Sequence, residues 1–300
     1  MALVTQETFT LRNQAGDAYT LTGPIHVAAH AGLGMAPVAR AVRSGPQQHG
    51  QTLASARLEP RVITLRLIID CDSEDEIREE RAEIETLLAG IEEALYLDTT
   101  LPDGSVRRLD VYYADGFTGE RAADGPYYST EDTLQLVADD PVAYDTETQV
   151  AWFELATGGT GMPIPLEVPL TVGEADVDHS LPINYPGTWL CYPVIRIYGP
   201  LDDACLTNES TDEALDFDGT LIANGAWYDI DLRYGYKTVQ NAVGANRIAD
   251  LTDDSDLATF HLAAHPEAPG GVNVLRLTGT GAGGNTACAV TYWNRYLGVV

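Results

Sequence analysis

Lysine is almost absent from this chain. Lys237 stands alone, and every other basic side chain apart from histidine is arginine. The 17 basic residues face 45 acidic ones, a formal net charge of -28 over 300 residues. That balance excludes a sequence-independent grip on nucleic acid, which needs basic groups to replace condensed counterions. It also disfavours adsorption to anionic membrane surfaces. An Asp-rich, Lys-poor composition suits a high-salt medium, and it equally suits a GC-rich genome that favours arginine codons, so the acidity names no function. No apolar run approaches the roughly 20 residues of a membrane span. Met1–Gln14 lacks the basic and apolar regions of a secretory signal, an expectation of synthesis and folding in a cytoplasm. The four cysteines, Cys71, Cys191, Cys205 and Cys288, are scattered without CxxC spacing, which excludes a disulfide scaffold or zinc ribbon and leaves them as small core residues.

What is present is β structure, arranged around Arg57–Ile91. Val62 to Ile69 is a β-branched run that predicts a strand with at least one buried face. Ser73 with Glu76 three residues on is a capping-box start, and Glu74, Asp75 and Glu76 place carboxylates at the positive end of a helix dipole. Ile77, Ile84, Leu88 and Ile91 recur at helical spacing, with Gly90 as the expected C-cap. This predicts one helix, about 73–90, covering a β-sheet.

Before it, Phe9, Leu11, Tyr19 and Leu21 predict a hairpin turned at Asn13–Asp17. Residues from about 28 to 53 carry Gly32, Gly34, Pro37, Gly45, Pro46 and Gly50 and no clear period. They read as a long loop or arm, the kind of segment that a partner orders. Arg40, Arg43 and Arg57 put positive charge in and beside it, with Gln47, Gln48 and His49 at its tip. After the helix, strands are expected at Ala94–Asp98, Val106–Tyr113 (across a Leu101–Ser105 turn) and Asp132–Ala138. The first domain is expected to span 1–156, and the Gly/Pro-rich 157–165 marks a linker. Residues 166–300 hold short strands with turns between them, including Thr188–Tyr198, Trp227–Leu232, Ala258–Leu262, Val272–Leu277 and Ala287–Trp293. That spacing predicts an antiparallel β-sandwich.

The search for chemistry returns little. His261 and His265 share an HxxxH spacing without the glutamate of a zinc protease, and Pro266 follows at once. Gly279–Gly284 lies between two predicted strands and reads as a hairpin tip, not a phosphate loop. Asp70, Asp72, Glu74 and Glu76 lack the offsets of a calcium loop and are explained by helix capping. Asp216 with Asp218, and Asp253, Asp254 and Asp256, read as turns. No nucleophile elbow, Cys/His arrangement or P-loop occurs, so neither an enzyme nor a cofactor or metal is expected. Trp189, Trp227 and Tyr228 are candidates for stacking on sugars, although aromatics at strand spacing are more often core or interface residues.

Several of these segments, taken in order, resemble the distal tail protein (Dit) family of long-tailed, siphovirus-type phages and tailed viruses. In the first half they are Arg57-Leu58-Glu59-Pro60-Arg61 leading into Val62–Leu65, the capped helix, and Asp140-Pro141-Val142-Ala143-Tyr144. In the second they are Tyr185-Pro186-Gly187-Thr188-Trp189, then Pro193–Pro200, Lys237-Thr238-Val239, Gly244-Ala245-Asn246 and the terminal Val290-Thr291-Tyr292-Trp293. The resemblance spans about Arg57 to Trp293; residues 28–53 and the Gly281–Asn285 tip depart from it.

The resemblance implies a mainly β protein: an N-terminal tail-tube-like β domain with one helix, and a C-terminal galectin-like or carbohydrate-binding-module-like sandwich. It implies a structural virion protein of the tail tip or baseplate, assembled in the host cytoplasm, usually as a homo-hexamer around a DNA channel. The implied partners are the tail tube protein, a tail-tip hub or tail-associated protein, the tape-measure protein and a receptor-binding protein. A closed ring needs two different complementary patches per subunit. Arg40, Arg43, Gln47, Gln48, His49 and Arg57 are the candidates for one of them. The alternative is a glycan-binding module or adhesin acting through the C-terminal sandwich.

Overall fold

The computed structural model describes residues 7–119, 129–153 and 175–300. The expected linker at 157–165 lies outside these residues. The fold is mainly β, with one α-helix among the described residues. The chain divides into two units: Met1–Thr146 with Tyr296–Val300, and Glu147–Arg295.

The first unit begins with β1 (Thr8–Arg12), β2 (Ala18–Thr20), β3 (Ile25–Ala31), β4 (Val38–Arg43), β5 (Thr52–Leu58) and β6 (Arg61–Asp70). Helix α1 (Glu74–Leu88) follows, then β7 (Leu95–Thr100), β8 (Val106–Gly116), β9 (Ser129–Ala138) and β10 (Ala143–Asp145). The main sheet runs β2-β1-β7-β8-β9-β6-β3, with β10 beside β8. Strict alternation on β6 buries Ile63, Leu65, Leu67 and Ile69, and antiparallel register sets Ile63 opposite Leu136 and Leu65 opposite Leu134 of β9. Helix α1 starts as its sequence predicts. The Glu76 amide donates to Ser73 Oγ at 3.2 Å, and Glu76 Oε2 accepts from the Asp72 amide at 2.7 Å. Its apolar face, Ile77, Ile84, Leu87 and Leu88, joins the core of the sheet. Arg81 fastens it there, donating to Asp132 Oδ2 at 3.0 Å and to the Phe117 carbonyl at 2.8 Å. The expected glycine C-cap does not form: Ala89 ends the helix in right-handed geometry and Gly90 does not enter the left-handed region.

Residues 28–53 are not a single long loop but an arm built on strands. β4 and β5 pair as a separate two-stranded sheet, Arg40 opposite Ala56 and Ala39 opposite Arg57. Below this hairpin the chain is tightly held. Gly32 has φ +86°, and a Cβ on it would stand 2.1 Å from the Val62 carbonyl oxygen, so only glycine fits. Leu33 and Ala36 are buried. Arg61, 1% exposed, donates to the carbonyls of Gly32 (3.2 Å), Gly34 (3.1 Å) and Leu297 (2.6 Å). The last residues thus belong to this unit. Val299 is fully buried in its core, its amide donates to the Leu33 carbonyl at 2.7 Å, and Arg107 holds the carbonyls of Gly298 and Val299.

The second unit contains β11 (Gln149–Phe153), β12 (Ala175–Asn184), β13 (Val194–Tyr198), β14 (Leu201–Asn208) and β15 (Glu213–Asp216). It continues with β16 (Leu221–Ile222), β17 (Trp227–Asp231), β18 (Thr238–Asn241), β19 (Val272–Ala282) and β20 (Ala287–Tyr292). One sheet runs β11-β20-β13-β17-β18; the other runs β12-β19-β14-β15, with β16 beside β14. All pairings are antiparallel, and the inward residues of both sheets, among them Phe153, Ile197, Phe217, Ile230, Leu275 and Val290, form one core. β11 pairs with β20, so its place is in this sandwich and not in the first domain as 1–156 would have it. The expected strand at Ala258–Leu262 is absent except for a single bridge between Cys191 and Leu262. The buried amides of Asn208 and Asn273 replace the ladder: Asn208 Nδ2 donates to the His261 carbonyl at 2.8 Å, and Asn273 pairs with both the amide and the carbonyl of Ala263.

Candidate functional site

The β4–β5 hairpin is the most unusual surface of the first unit. Nearly every residue of both strands is exposed, including Val38, Val42 and Leu53, and Met35 below them is 71% exposed. A two-stranded sheet with no buried face is marginal in water, so its order depends on the clamped base. Within the tip, the Gly45 amide donates to Gln48 Oε1 at 3.0 Å and Gln48 Nε2 donates to Thr52 Oγ1 at 2.7 Å. Gln47 holds a left-handed φ of 87°.

The charge of the hairpin sets it apart further. No Asp or Glu stands between Asp17 and Glu59, in a chain with 45 of them. Six arginines elsewhere are neutralised locally: Arg66 by Glu131, Arg81 by Asp132, Arg108 by Asp98, Arg196 by Asp229, Arg233 by Asp231 and Arg276 by Asp178. Arg40, Arg43 and Arg57 are exposed and form no ion pair among the described residues. Their antiparallel register puts Arg40 and Arg57 on opposite faces. All six of the sequence's interface candidates lie on this one hairpin, with Gln47, Gln48 and His49 exposed at the tip. What the sequence could not supply was the strand pairing and the apolar Val38, Val42 and Leu53 beside the charges.

The aromatic candidates separate. Tyr228 faces the sandwich core, packs edge-on against Phe217 at 5.6 Å and donates to Asp250 Oδ2 at 2.7 Å. Burial, then the bond to Asp250, pushes its hydroxyl pKa up to about 12. Trp189 is half-buried, its amide donating to the Arg295 carbonyl at 3.1 Å. Trp227 lies on the outer face of its sheet with two aromatics that sequence reading left aside, Trp152 and Tyr198.

No chemistry gathers elsewhere among the described residues. His261 is buried, with Nδ1 3.0 Å from Glu213 Oε2, whereas His265 is exposed. No group of three or more potential metal ligands forms among the described residues. All four cysteines are free, and burial pushes the Cys191 thiol up to about 11 and Cys288 higher still, the opposite of an activated nucleophile. No described helix is long and apolar enough to cross a membrane.

A mainly β chain of two units, the first carrying one helix on its sheet and the second an antiparallel sandwich, has the fold of a distal tail protein. A solved structure with this fold is the Dit protein (gp 19.1) of phage SPP1, described as a paradigm of the hub adsorption apparatus in phages that infect Gram-positive bacteria. It superposes with a TM-score of 0.60 at 15% identity, over 96% of this chain and 98% of that one. The phage P2 baseplate in its activated conformation also contains a similar chain. With calcium the values are TM-score 0.47 and 8% identity, with strontium 0.46 and 9%, each over 95% of this chain and 98% of that one. No protein-family model matches the sequence, and no curated protein does.

Proposed function

We propose that this chain is a structural component of a phage or viral tail tip, a distal tail or baseplate hub protein. The observation that carries the reading is the likeness of fold to SPP1 Dit over nearly the whole of both chains. In this reading the first unit forms a ring, usually of about six copies, between the tail tube and the tip proteins. DNA passes through the ring, and the acidity of the chain keeps it from sticking. The tube protein and a hub or tail-associated protein are its neighbours, with the tape-measure and receptor-binding proteins as further contacts. It carries no catalytic role.

The β4–β5 hairpin is the contact with the next copy. Its unpaired arginines and exposed valines suit a surface that is acidic at the edges and apolar at the centre, and every copy carries a net charge of -28. Among the described residues no carboxylate pairs with Arg40, Arg43 or Arg57, and a neighbouring copy supplies carboxylates that can.

Light scattering of the purified chain across salt concentrations tests this. At low salt, repulsion between like-charged copies opposes closure. Near 0.1 M salt it is screened beyond about 10 Å, while close arginine–carboxylate pairs persist. The expected result is a discrete species near six chains that appears as salt rises, and an R40E/R43E/R57E variant that stays monomeric. A charge-reversed variant that forms the same ring would overturn the hairpin assignment. Wild-type protein that remains monomeric both alone and with the tail tube protein would overturn the ring itself.

A further inference from the structure

The outer face of the β11-β20-β13-β17-β18 sheet carries a row of three aromatic rings. Outward positions follow from register, because Phe153, Ile195, Ile197, Tyr228, Ile230, Cys288 and Val290 point into the core and their neighbours point away. The outward residues are Trp152 on β11, Ala287 and Ala289 on β20, Arg196 and Tyr198 on β13, and Trp227 and Asp229 on β17. Trp152 and Tyr198 lie 6.3 Å apart between centroids with planes only 19° from parallel, and Tyr198 lies 6.3 Å from Trp227. Between these rings the intervening strand presents the methyls of Ala287 and Ala289. The rings of Trp152 and Tyr198 therefore come together although one strand, β20, separates theirs in the ladder.

The row is polar along one side. Arg196 Nη2 donates to Asp229 Oδ2 at 2.8 Å, and Trp227 Nε1 donates to the same oxygen at 3.3 Å. The Arg196 guanidinium sits 5.3 Å above the Trp227 ring. Trp152 is 51% exposed, far more than packing within the sandwich would leave a tryptophan.

We infer that this face binds a neutral oligosaccharide, with pyranose rings stacked along Trp152, Tyr198 and Trp227. A pyranose presents flat C–H faces to an aromatic ring and a rim of hydroxyls that both donate and accept. The Arg196–Asp229 pair supplies donors and acceptors within reach of that rim, fixed in direction by their mutual bond. Charge selects among sugars: the ion pair is locally neutral and the chain is strongly acidic, so uronic or sialic polymers are repelled. An extended row fits a chain of sugars better than a single residue. This site is independent of the ring reading, since all its residues lie in the second unit.

The test is a titration of the full-length protein with neutral hexose hexasaccharides (cellohexaose, laminarihexaose and maltohexaose), with polygalacturonate as the anionic control. Binding is followed by tryptophan fluorescence and checked by calorimetry. The expected result is saturable quenching by at least one neutral hexasaccharide below about 1 mM and none by polygalacturonate. Affinity should fall about tenfold in W152A and in W227A, with Y236A unchanged. Tyr236 is a solvent-exposed aromatic outside the row, so it controls for loss of surface aromatic area. No saturation with any neutral sugar, or equal binding by W152A, would overturn the assignment. Loss of binding to another tail protein in W152A while the sugars stay silent would overturn it equally, and would make the face a protein contact.

Discussion

Arg61 is the residue on which the base of the hairpin most depends, and replacing it with methionine isolates what its charge does. The guanidinium is buried and donates to three carbonyls from two distant parts of the chain. Burial lowers its pKa, and the nearby Asp140 opposes that shift. Bonds to a charged donor contribute roughly 1.5–3 kcal/mol each, so three give roughly 5–9 kcal/mol before desolvation. Keeping the cation out of water costs several kcal/mol, which methionine does not incur, but methionine leaves three carbonyls without a donor. The net expectation for R61M is a loss of about 3 kcal/mol in the first unit. With a urea slope near 1.5 kcal/mol per molar for a domain of this size, the midpoint falls by about 2 M. All four tryptophans, Trp152, Trp189, Trp227 and Trp293, lie in the second unit, so fluorescence serves as an internal reference. Amide hydrogen exchange on β6 reports the first. R61K should recover only part of the loss, because a point donor cannot reproduce the fork. A shift in β6 protection equivalent to less than about 0.5 M urea would refute the reasoning.

Two further outcomes follow from the same geometry. Gly32→Ala forces a left-handed φ on a residue with a Cβ and drives that Cβ against the Val62 carbonyl; β6 exchange should show a loss of about 2–4 kcal/mol, with the second unit unaffected. Tyr228 gives a pH signature. Its pKa in the folded chain is raised to about 12 from an ordinary value of 10.0, so it contributes stability below pH 10 that disappears as pH rises through 12. Two pKa steps correspond to about 2–3 kcal/mol. Fluorescence-monitored unfolding of Tyr228→Phe should lack that part of the decline between pH 10 and 12, and parallel curves for the two proteins would contradict the assignment.

The parts of the fold that were legible in the sequence are those in which one element faces both core and water. β6 alternates and α1 opens on an N-cap serine with glutamate three residues on, so both were readable from neighbours a few residues apart. The β4–β5 hairpin was not. With both faces exposed its sequence has no reason to alternate, and its Ala, Arg, Val and Gln mixture reads as loop. The segment around Phe260 failed for the opposite reason. Its apolar residues are buried as a strand's would be, but Asn208 and Asn273 satisfy its backbone, and those partners are remote in sequence. The aromatic row is remote in the same way: Trp152 and Tyr198 meet only because β20 places alanines between them.

The clamp at the hairpin base explains why an exposed two-stranded sheet can be worth building. A flexible arm would lose backbone entropy on docking, about 1–2 kcal/mol for each residue ordered. In the proposed role as a subunit contact, that cost is met before the next copy arrives, through Arg61, Gly32, Leu33 and the returning Val299. Residues remote in sequence thus preorganise the arm, so its apolar strands and unpaired arginines are presented as a fixed surface. The same logic predicts where substitutions divide. Changes at the clamp should lower both folding stability and assembly, whereas changes at Arg40, Arg43 or Arg57 should lower assembly alone, because those side chains make no ion pair among the described residues.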